Sequence, residues 1–192
     1  MPKVVRGRAG REQRREDLLE SYTAALAPML VKQLRVAPDA RMMHLGSPGA
    51  VVIAETFAPA LETGELVVVV YSYDEMEETR AALAGLGNVE VINEIEDVDP
   101  DEPPYNVMTS IVPYQLGRDY VNNLLTSGLR LLTSDGLLYL AGDRQHGFER
   151  HLEHLAGVGS HITPVVQVGT LRIVTASKPG PTGGLRRSSS TS

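Results

Sequence analysis

Residues 161–176, HITPVVQVGTLRIVTA, limit how this chain can complete its fold. Two apolar, β-branched stretches, residues 161–168 and 171–176, flank the dipeptide Gly169-Thr170. A two-residue link that contains glycine is typical of a β-hairpin, and it is too short for the crossover that parallel strands need. The chain is therefore predicted to end its sheet with an antiparallel pair of strands.

Upstream of this hairpin, apolar strand-like runs alternate with helical patterns. Residues 66–71, LVVVVY, are continuous and mostly β-branched, as expected for a parallel strand that is buried on both faces. A turn is predicted at residues 134–136. Strands are predicted at residues 41–45, 66–71, 89–92, 105–112 and 137–141, and helices at residues 50–61, 74–86, 119–132 and 148–155. This order predicts an α/β fold with a doubly wound, mostly parallel sheet and an antiparallel C-terminal hairpin.

The two ends of the chain differ from this alternating region. Residues 1–11 are predicted to be a basic flexible arm, and residues 12–39 a helical segment that Pro28 kinks or splits. Residues 40–178 contain the whole alternating pattern. Residues 179–192 are rich in Pro, Gly, Ser and Thr, and a disordered tail is predicted because they cannot bury enough apolar surface to fold.

The composition excludes several classes of function. The 192 residues include no cysteine, which rules out disulfides, thiolate metal sites and a cysteine nucleophile. The sequence has no apolar run of the roughly 18 residues that a membrane span needs, and its basic N-terminus does not resemble a secretory signal. Neither a Gly-x-Ser-x-Gly elbow nor a phosphate-binding Walker loop occurs. We therefore expect a soluble, cytoplasmic protein with no membrane partner.

Charge is unevenly distributed along the chain. Residues 1–15 carry six Lys or Arg residues and one acid, whereas residues 74–102 carry eleven acids and one arginine. A basic arm on an acidic body is typical of local contact with an anionic partner, and the expected partner is an RNA or a protein substrate. The alternative is a solvated arm that only keeps the chain in solution.

The ends of the predicted parallel strands are the expected location of a ligand. Ligands of open α/β sheets bind beyond the carboxyl ends of the strands, where the strand order reverses. Residues 44–50, HLGSPGA, form a loop with two glycines after the first strand. Tyr71 ends the second strand, Asn93-Glu94 follow the third, and residues 110–114, SIVPY, end the fourth.

In the order of their elements, their closing hairpin and these strand ends, residues 40–178 resemble a class I S-adenosylmethionine (AdoMet)-dependent methyltransferase domain of Rossmann-like fold. The nearest resemblance is to the "methyltransferase small" family, which includes guanine exocyclic-amine methyltransferases of ribosomal RNA. The resemblance implies the strand order 3-2-1-4-5-7-6 and AdoMet as cofactor, and the basic arm favours RNA or protein as the methyl acceptor. In the family the first loop is an acid, a hydrophobic residue and Gly-x-Gly-x-Gly. Here Gly46 matches, whereas Pro48 and Ala50 replace the later glycines.

The resemblance also implies which residues hold the cofactor. His44 replaces the acid before the glycine loop, and Gly49 supplies backbone freedom one position away from a family glycine. Tyr71 stands where the family has the acid that binds the ribose hydroxyls, with Asp74 as an alternative if the loop shifts. The implied cofactor-binding residues are His44, Gly46, Ser47, Gly49, Tyr71, Asn93 and Glu94, of which the last two face the adenine amine.

The motif after the fourth strand departs furthest from the family. There the family has Asn-Pro-Pro-Tyr or Asn-Pro-Pro-Phe, and its asparagine carbonyl and a backbone carbonyl orient the target amine. Residues 111–114 of this chain are IVPY, so Pro113 and Tyr114 match, but Ile111 cannot accept a hydrogen bond. The implied catalytic residues are Ser110, Pro113 and Tyr114, and Ser110 and Tyr114 are the candidates for orienting the acceptor.

Two hypotheses follow from this pattern. The first is a divergent methyltransferase that binds AdoMet and methylates RNA or protein. The second is a catalytically inactive, methyltransferase-like scaffold that contacts an RNA or protein assembly through its basic arm. A plain dinucleotide-binding domain is disfavoured by the closing hairpin. No metal site is predicted, because His146, His151 and His154 lack an established ligand spacing.

Overall fold

The computed structural model describes residues 5–180 of the chain. Within them, seven strands form one sheet. The strands are β1 (Arg41–Leu45), β2 (Glu65–Val69), β3 (Val89–Ile92), β4 (Tyr105–Ile111), β5 (Leu132–Asp143), β6 (Ile162–Val168) and β7 (Leu171–Ser177). The helices are α1 (Val5–Val31), α2 (Ala50–Phe57), α3 (Tyr73–Ala82), α4 (Arg118–Arg130) and α5 (Phe148–Gly157).

The order of the strands is β3-β2-β1-β4-β5-β7-β6. β1 pairs in parallel with β2 and β4, and the outer pairs β2–β3 and β4–β5 are parallel as well. β7 is antiparallel to both β5 and β6. The predicted sheet, its closing hairpin and the strand order implied by the resemblance are therefore confirmed. The order reverses between β1 and β4, so the carboxyl ends of these strands define the crevice where a ligand is expected.

Helices cover both faces of the sheet. On one face α1, α2 and α3 bury side chains such as Leu26 against the strands. On the other face α4 and α5 bury a second group that includes Leu125. Neighbouring strand residues alternate between the two layers, since Met42 packs in the first and Met43 in the second. Burial on both faces explains why residues 66–70 are uninterruptedly apolar.

β5 is longer than the sequence pattern predicts. It begins at Leu132, so residues 134–136, predicted as a turn, lie within the strand. The register against β4 shifts at this point, because Tyr105 pairs with Leu132 while Val107 pairs with Leu137. Residues 134–136 are therefore extra residues within β5, which pairs with β4 before and after them, and they interrupt the ladder in the way that a β-bulge does.

The structure corrects two predictions about the N-terminal region. The helix α1 begins at Val5, so residues 5–11 are helical rather than a flexible arm, while residues 1–4 lie outside the described part of the chain. Good helix formers and local side-chain pairs, such as Gln13 with Asp17 at 3.0 Å, support this exposed helix. Pro28 does not split the helix, which continues to Val31. It removes only the one backbone hydrogen bond that its own N–H would donate to the preceding turn.

Most of the predicted tail, residues 181–192, lies outside the described residues. Between residues 5 and 180, no helix combines the length and the apolar character needed to cross a membrane.

Candidate functional site

The loop after β1 is held close to the ends of two neighbouring strands. Gly46 has a φ of +98° and donates its N–H to the carbonyl of Val69 at 2.7 Å. Gly49 has a φ of +76° and directly precedes α2. A Cβ atom on Gly49 would lie 2.6 Å from Cδ1 of Ile111, so a larger residue meets both a strained backbone and a clash. The two glycines therefore fix the loop against the ends of β2 and β4.

His44 supports this loop from inside the sheet. Its side chain is fully buried, with Nε2 2.8 Å from the carbonyl of Pro48 and Nδ1 2.8 Å from the hydroxyl of Thr109. Because a carbonyl only accepts, Nε2 carries the proton and Nδ1 accepts from Thr109. Burial lowers the pKa of His44 to about 4, so the ring is neutral at pH 7. The resemblance implies a cofactor contact for His44, but both ring nitrogens are engaged within the protein, which makes it a positioning residue.

A carboxylate that sequence reasoning missed lies at the end of β2. Glu75 accepts hydrogen bonds from the Ser47 hydroxyl at 3.2 Å and from the Tyr71 N–H at 2.9 Å. The Glu75 N–H donates to the side chain of Ser72, the N-cap of α3, at 3.2 Å. Ser-x-x-Glu is a capping-box pattern, and this signal was present in the sequence. Glu75 thus supplies an acid where Tyr71 and Asp74 are the candidates from sequence.

The structure brings Tyr71, Asn93 and Glu94 together around one cavity. This cavity has a volume of about 390 Å³ and is also lined by Tyr120 of α4. The rings of Tyr71 and Tyr120 meet edge to face, with their centroids 5.0 Å apart. Burial and the nearby Glu75 carboxylate raise the pKa of Tyr120 to about 12, so its hydroxyl stays protonated. Aromatic surface beside amide and carboxylate acceptors suits a flat heterocycle that carries an amino group.

The end of β4 lacks the polar group that the catalytic prediction needs. Ser110 is fully buried and its hydroxyl donates to the carbonyl of Leu45 at 2.6 Å. This bond joins β4 to β1, so the predicted role of Ser110 in orienting an acceptor does not fit its placement. Ile111 is fully buried against the glycine loop. Pro113 is buried as well, and its Cγ lies 3.3 Å from where a Cβ on Gly46 would be.

Tyr114, the remaining catalytic candidate, belongs to an aromatic cluster with Tyr22 and His146. Tyr114 and His146 stack in parallel with centroids 4.0 Å apart, and Tyr22 of α1 meets Tyr114 edge to face at 4.9 Å. The Tyr22 hydroxyl donates to the carbonyl of Val112 at 2.9 Å, and burial raises the pKa of Tyr22 so that it remains a donor. α1 therefore covers the carboxyl end of β4. In the sequence Tyr22 is only one member of the apolar stripe of a helix.

Two of the three neighbouring histidines serve helix packing. Nδ1 of His151 lies 2.7 Å from Oδ1 of Asn122, and Nε2 of His154 lies 3.1 Å from the hydroxyl of Thr126. Both contacts join α5 to α4, while His146 lies in the aromatic cluster. Among the residues that the structure describes, no group of three or more His, Cys, Asp or Glu side chains is placed to hold a metal ion.

No family model and no curated protein matches the sequence, but solved structures match the fold. The T. thermophilus 16S rRNA N2-guanine methyltransferase, solved with AdoMet and guanosine, aligns with a TM-score of 0.63 and 22% identity. The alignment covers 83% of this chain and 40% of that chain. A TehB-like AdoMet-dependent methyltransferase from Corynebacterium glutamicum aligns with a TM-score of 0.62 and 14% identity, and the alignment covers 88% of this chain and 97% of that chain. A precorrin-6y C5,15-methyltransferase from Geobacter metallireducens aligns with a TM-score of 0.61 and 16% identity, and the alignment covers 79% of this chain and 87% of that chain. The chain has the class I methyltransferase fold.

This methyltransferase fold, and not a shared activity, is what such low identities show. The chain spans less than half the length of the T. thermophilus structure. Within the methyltransferase fold, the glycine loop, Glu75 and the cavity lie at the adjoining ends of β1, β2 and β3. The Tyr114 cluster lies across the reversal in strand order, at the end of β4.

Proposed function

We propose that this chain binds AdoMet across the carboxyl ends of β1, β2 and β3. The observation that carries this proposal is the cavity of about 390 Å³ lined by Tyr71, Asn93, Glu94 and Tyr120. Glu75 links the cavity to the glycine loop, because it accepts hydrogen bonds from both Tyr71 and Ser47. The T. thermophilus structure that shares this fold holds AdoMet together with guanosine.

The residues at these strand ends fit the chemical groups of AdoMet. The Asn93 carbonyl and the Glu94 carboxylate accept hydrogen bonds from an exocyclic amine, and the two tyrosine rings offer an apolar surface to adenine. Glu75 has two carboxylate oxygens for the paired ribose hydroxyls, and binding them would replace its bond to Ser47. When bound, AdoMet supplies a methyl group activated by its sulfonium.

For the methyl group there are two candidate outcomes: transfer to RNA or protein, and binding without transfer. The geometry at the end of β4 favours the second for an amine acceptor. The Val112 carbonyl already accepts from Tyr22, and the Ser110 hydroxyl is engaged with β1. Ile111 offers no acceptor, so no side chain of residues 110–112 is free to orient an amine. An inactive binding protein is thus the favoured alternative while α1 stays docked.

Calorimetric titration of the full chain with AdoMet and with S-adenosylhomocysteine tests cofactor binding. Glu75→Gln should weaken binding about ten- to a hundredfold, because a hydrogen bond to a charged group contributes roughly 1.5–3 kcal/mol. Glu78→Gln is the matched control, since it removes an exposed acid from the same helix. If the unmodified chain binds neither ligand, the proposal is wrong.

A labelled-methyl assay on ribosomal RNA, cell lysate and protein fractions separates the two outcomes for the methyl group. Binding without turnover supports the inactive alternative. Robust turnover by the unmodified chain contradicts it, and Tyr114 is then the first residue to test as the orienting group.

A further inference from the structure

The N-terminal half of α1 extends into solvent without packing on the domain. Residues 7–18 are all exposed, and Tyr22 is the first buried residue of the helix among those described. At about 1.5 Å per residue, residues 7–18 form roughly 18 Å of unpacked helix. The second half is anchored by fully buried side chains such as Leu26 and Leu30. The unpacked half is therefore held as a helical projection rather than as a loose arm.

Arginines and acids lie on different sides of this projection. At about 100° per residue, four arginines fall within an arc of about 120°. Glu16 and Asp17 point away from that arc, and Glu12 lies at its edge, about 40° beyond Arg8. We call these four the arginine face: Arg8, Arg11, Arg14 and Arg15.

The arginine face is poorly neutralised by the rest of the chain. Among the described residues, Arg8 has the one carboxylate within 4.0 Å of this face, that of Glu12. These two side chains are 90% and 67% exposed, so their pairing is weak. Arg8, Arg11 and Arg15 border a shallow hollow of about 460 Å³ together with Glu12, so three cations and one carboxylate surround a common space.

We propose that the arginine face of α1 binds the phosphodiester backbone of a nucleic acid. Arginine presents a planar fork of N–H donors that matches the geometry of phosphate oxygens. Anions that repeat regularly along a strand complement cations that recur every three or four residues of a helix. The chain as a whole has a net charge of −6, so a polyanion must be attracted by a local cluster of cations rather than by the overall charge. The inference does not depend on AdoMet binding.

Two other occupants fit the arginine face less well. A membrane surface requires a broad apolar face, whereas Leu18 is the one large exposed hydrophobic side chain recorded on the described part of the projection. A second copy of this chain offers the acidic residues 74–102, but these are spread over α3, β3 and the segment before β4.

Fluorescence anisotropy of the full chain with a short labelled RNA strand, and with duplex DNA of the same sequence, tests the proposal. The variant replaces all four arginines of the face by glutamine, a good helix former. The control has the same change in charge on exposed arginines elsewhere, Arg35, Arg118, Arg130 and Arg150→Gln. Because the last three surround one hollow of about 890 Å³, this control also tests the rival arginine cluster of the chain. Without the arginine face, the slope of log K against log salt should fall by about 2.8 for the strand and about 3.6 for the duplex. The control should keep the slope of the unmodified chain.

Several results would overturn this proposal. An equal loss in both variants would mean that overall charge, and not the arginine face, drives binding. No binding of either nucleic acid by the unmodified chain would also exclude it. Salt-sensitive self-association that is lost only in the arginine variant would point to a second copy instead. The arginine variant should keep its AdoMet affinity and helical content, so a failure here is distinguishable from a failure of cofactor binding.

Discussion

The end of β2 and the end of β4 differ in what holds their polar groups. At β2, the Glu75 carboxylate accepts bonds of 3.2 and 2.9 Å from Ser47 and Tyr71 beside a cavity. At β4, the Val112 carbonyl accepts hydrogen bonds from the Tyr22 hydroxyl and the Tyr114 N–H, beneath the aromatic cluster. The first arrangement can exchange one hydrogen bond for a ligand, whereas the second opens only when α1 moves.

Burial explains why the two ends differ so much in accessibility. Releasing Tyr22 also disturbs the neighbouring Leu26 and Leu30, and each such side chain contributes roughly 1.5–3 kcal/mol by burial. Releasing Ser47 from Glu75 loses one hydrogen bond, worth about 1 kcal/mol. The fold thus separates the proposed cofactor site, which needs little rearrangement, from the end of β4, which opens only when the helix undocks.

The largest effect is expected at Gly49, where the glycine loop touches β4. Gly49→Ala should lower the free energy of unfolding by about 2–5 kcal/mol, because a left-handed backbone and an overpacked contact both add cost. The contact is the 2.6 Å approach of the new Cβ to Cδ1 of Ile111. Urea denaturation followed by circular dichroism measures the change.

Gly147→Ala is the control for backbone strain alone. Gly147 has a φ of +78°, and nothing lies within 4 Å of a Cβ built there. The expected loss is about 1–2 kcal/mol, from the left-handed conformation only. Equal losses at Gly49 and Gly147 would show that the approach to Ile111 adds nothing.

Acid should weaken the support of the glycine loop through His44. Burial holds the pKa of His44 at about 4, below the ordinary value of 6.5. Between these values the unfolded chain binds a proton that the folded chain does not, so stability present above pH 6.5 is lost as the pH falls towards 4. The loss should reach about 3 kcal/mol, and burial lowers the pKa of His151 in the same direction. Urea denaturation from pH 7 to pH 4 should show a shallower dependence in His44→Gln, and an unchanged slope would contradict this role.

A smaller effect is expected from Tyr22→Phe, which acts on the β4 side of the comparison. The substitution removes one of two hydrogen bonds to the Val112 carbonyl, which still accepts from the Tyr114 N–H at 2.8 Å, and should cost about 0.5–1.5 kcal/mol of stability. Tyr73→Phe, at a 62% exposed position, should change stability by less than about 0.5 kcal/mol. Similar values for the two variants, measured by urea denaturation, would mean that Tyr22 does not seal this strand end.

The fold could be predicted because its causes are local. Burial on two faces leaves a continuous apolar run at residues 66–70, and Gly169-Thr170 permits little besides a hairpin. The gathering of Tyr71, Asn93 and Glu94 follows as well, since carboxyl ends of parallel strands share one edge.

The individual contacts of the site could not be predicted, because they depend on partners far along the chain. His44 and Ser110 lie at the expected strand ends, but their bonds to Thr109 and Leu45 span 65 residues each. Tyr22 contacts a carbonyl 90 residues away, through a docking of α1 that no local pattern encodes. Glu75 is the exception, since its capping pattern lies within four residues.

The smallest effect is expected from Ser47→Ala, which tests whether the β2 side is open to exchange. Loss of the half-exposed bond to Glu75 should lower stability by about 0.5–1 kcal/mol. If ribose hydroxyls replace Ser47 at Glu75, this substitution also removes their competitor, so calorimetry should show AdoMet affinity unchanged or up to about fivefold tighter. The gain should vanish in the Glu75→Gln background, because the two effects act through one carboxylate. A tenfold weaker affinity in Ser47→Ala would mean instead that the Ser47 hydroxyl itself contacts the ligand, as the sequence resemblance implies, and that Glu75 is not released by exchange.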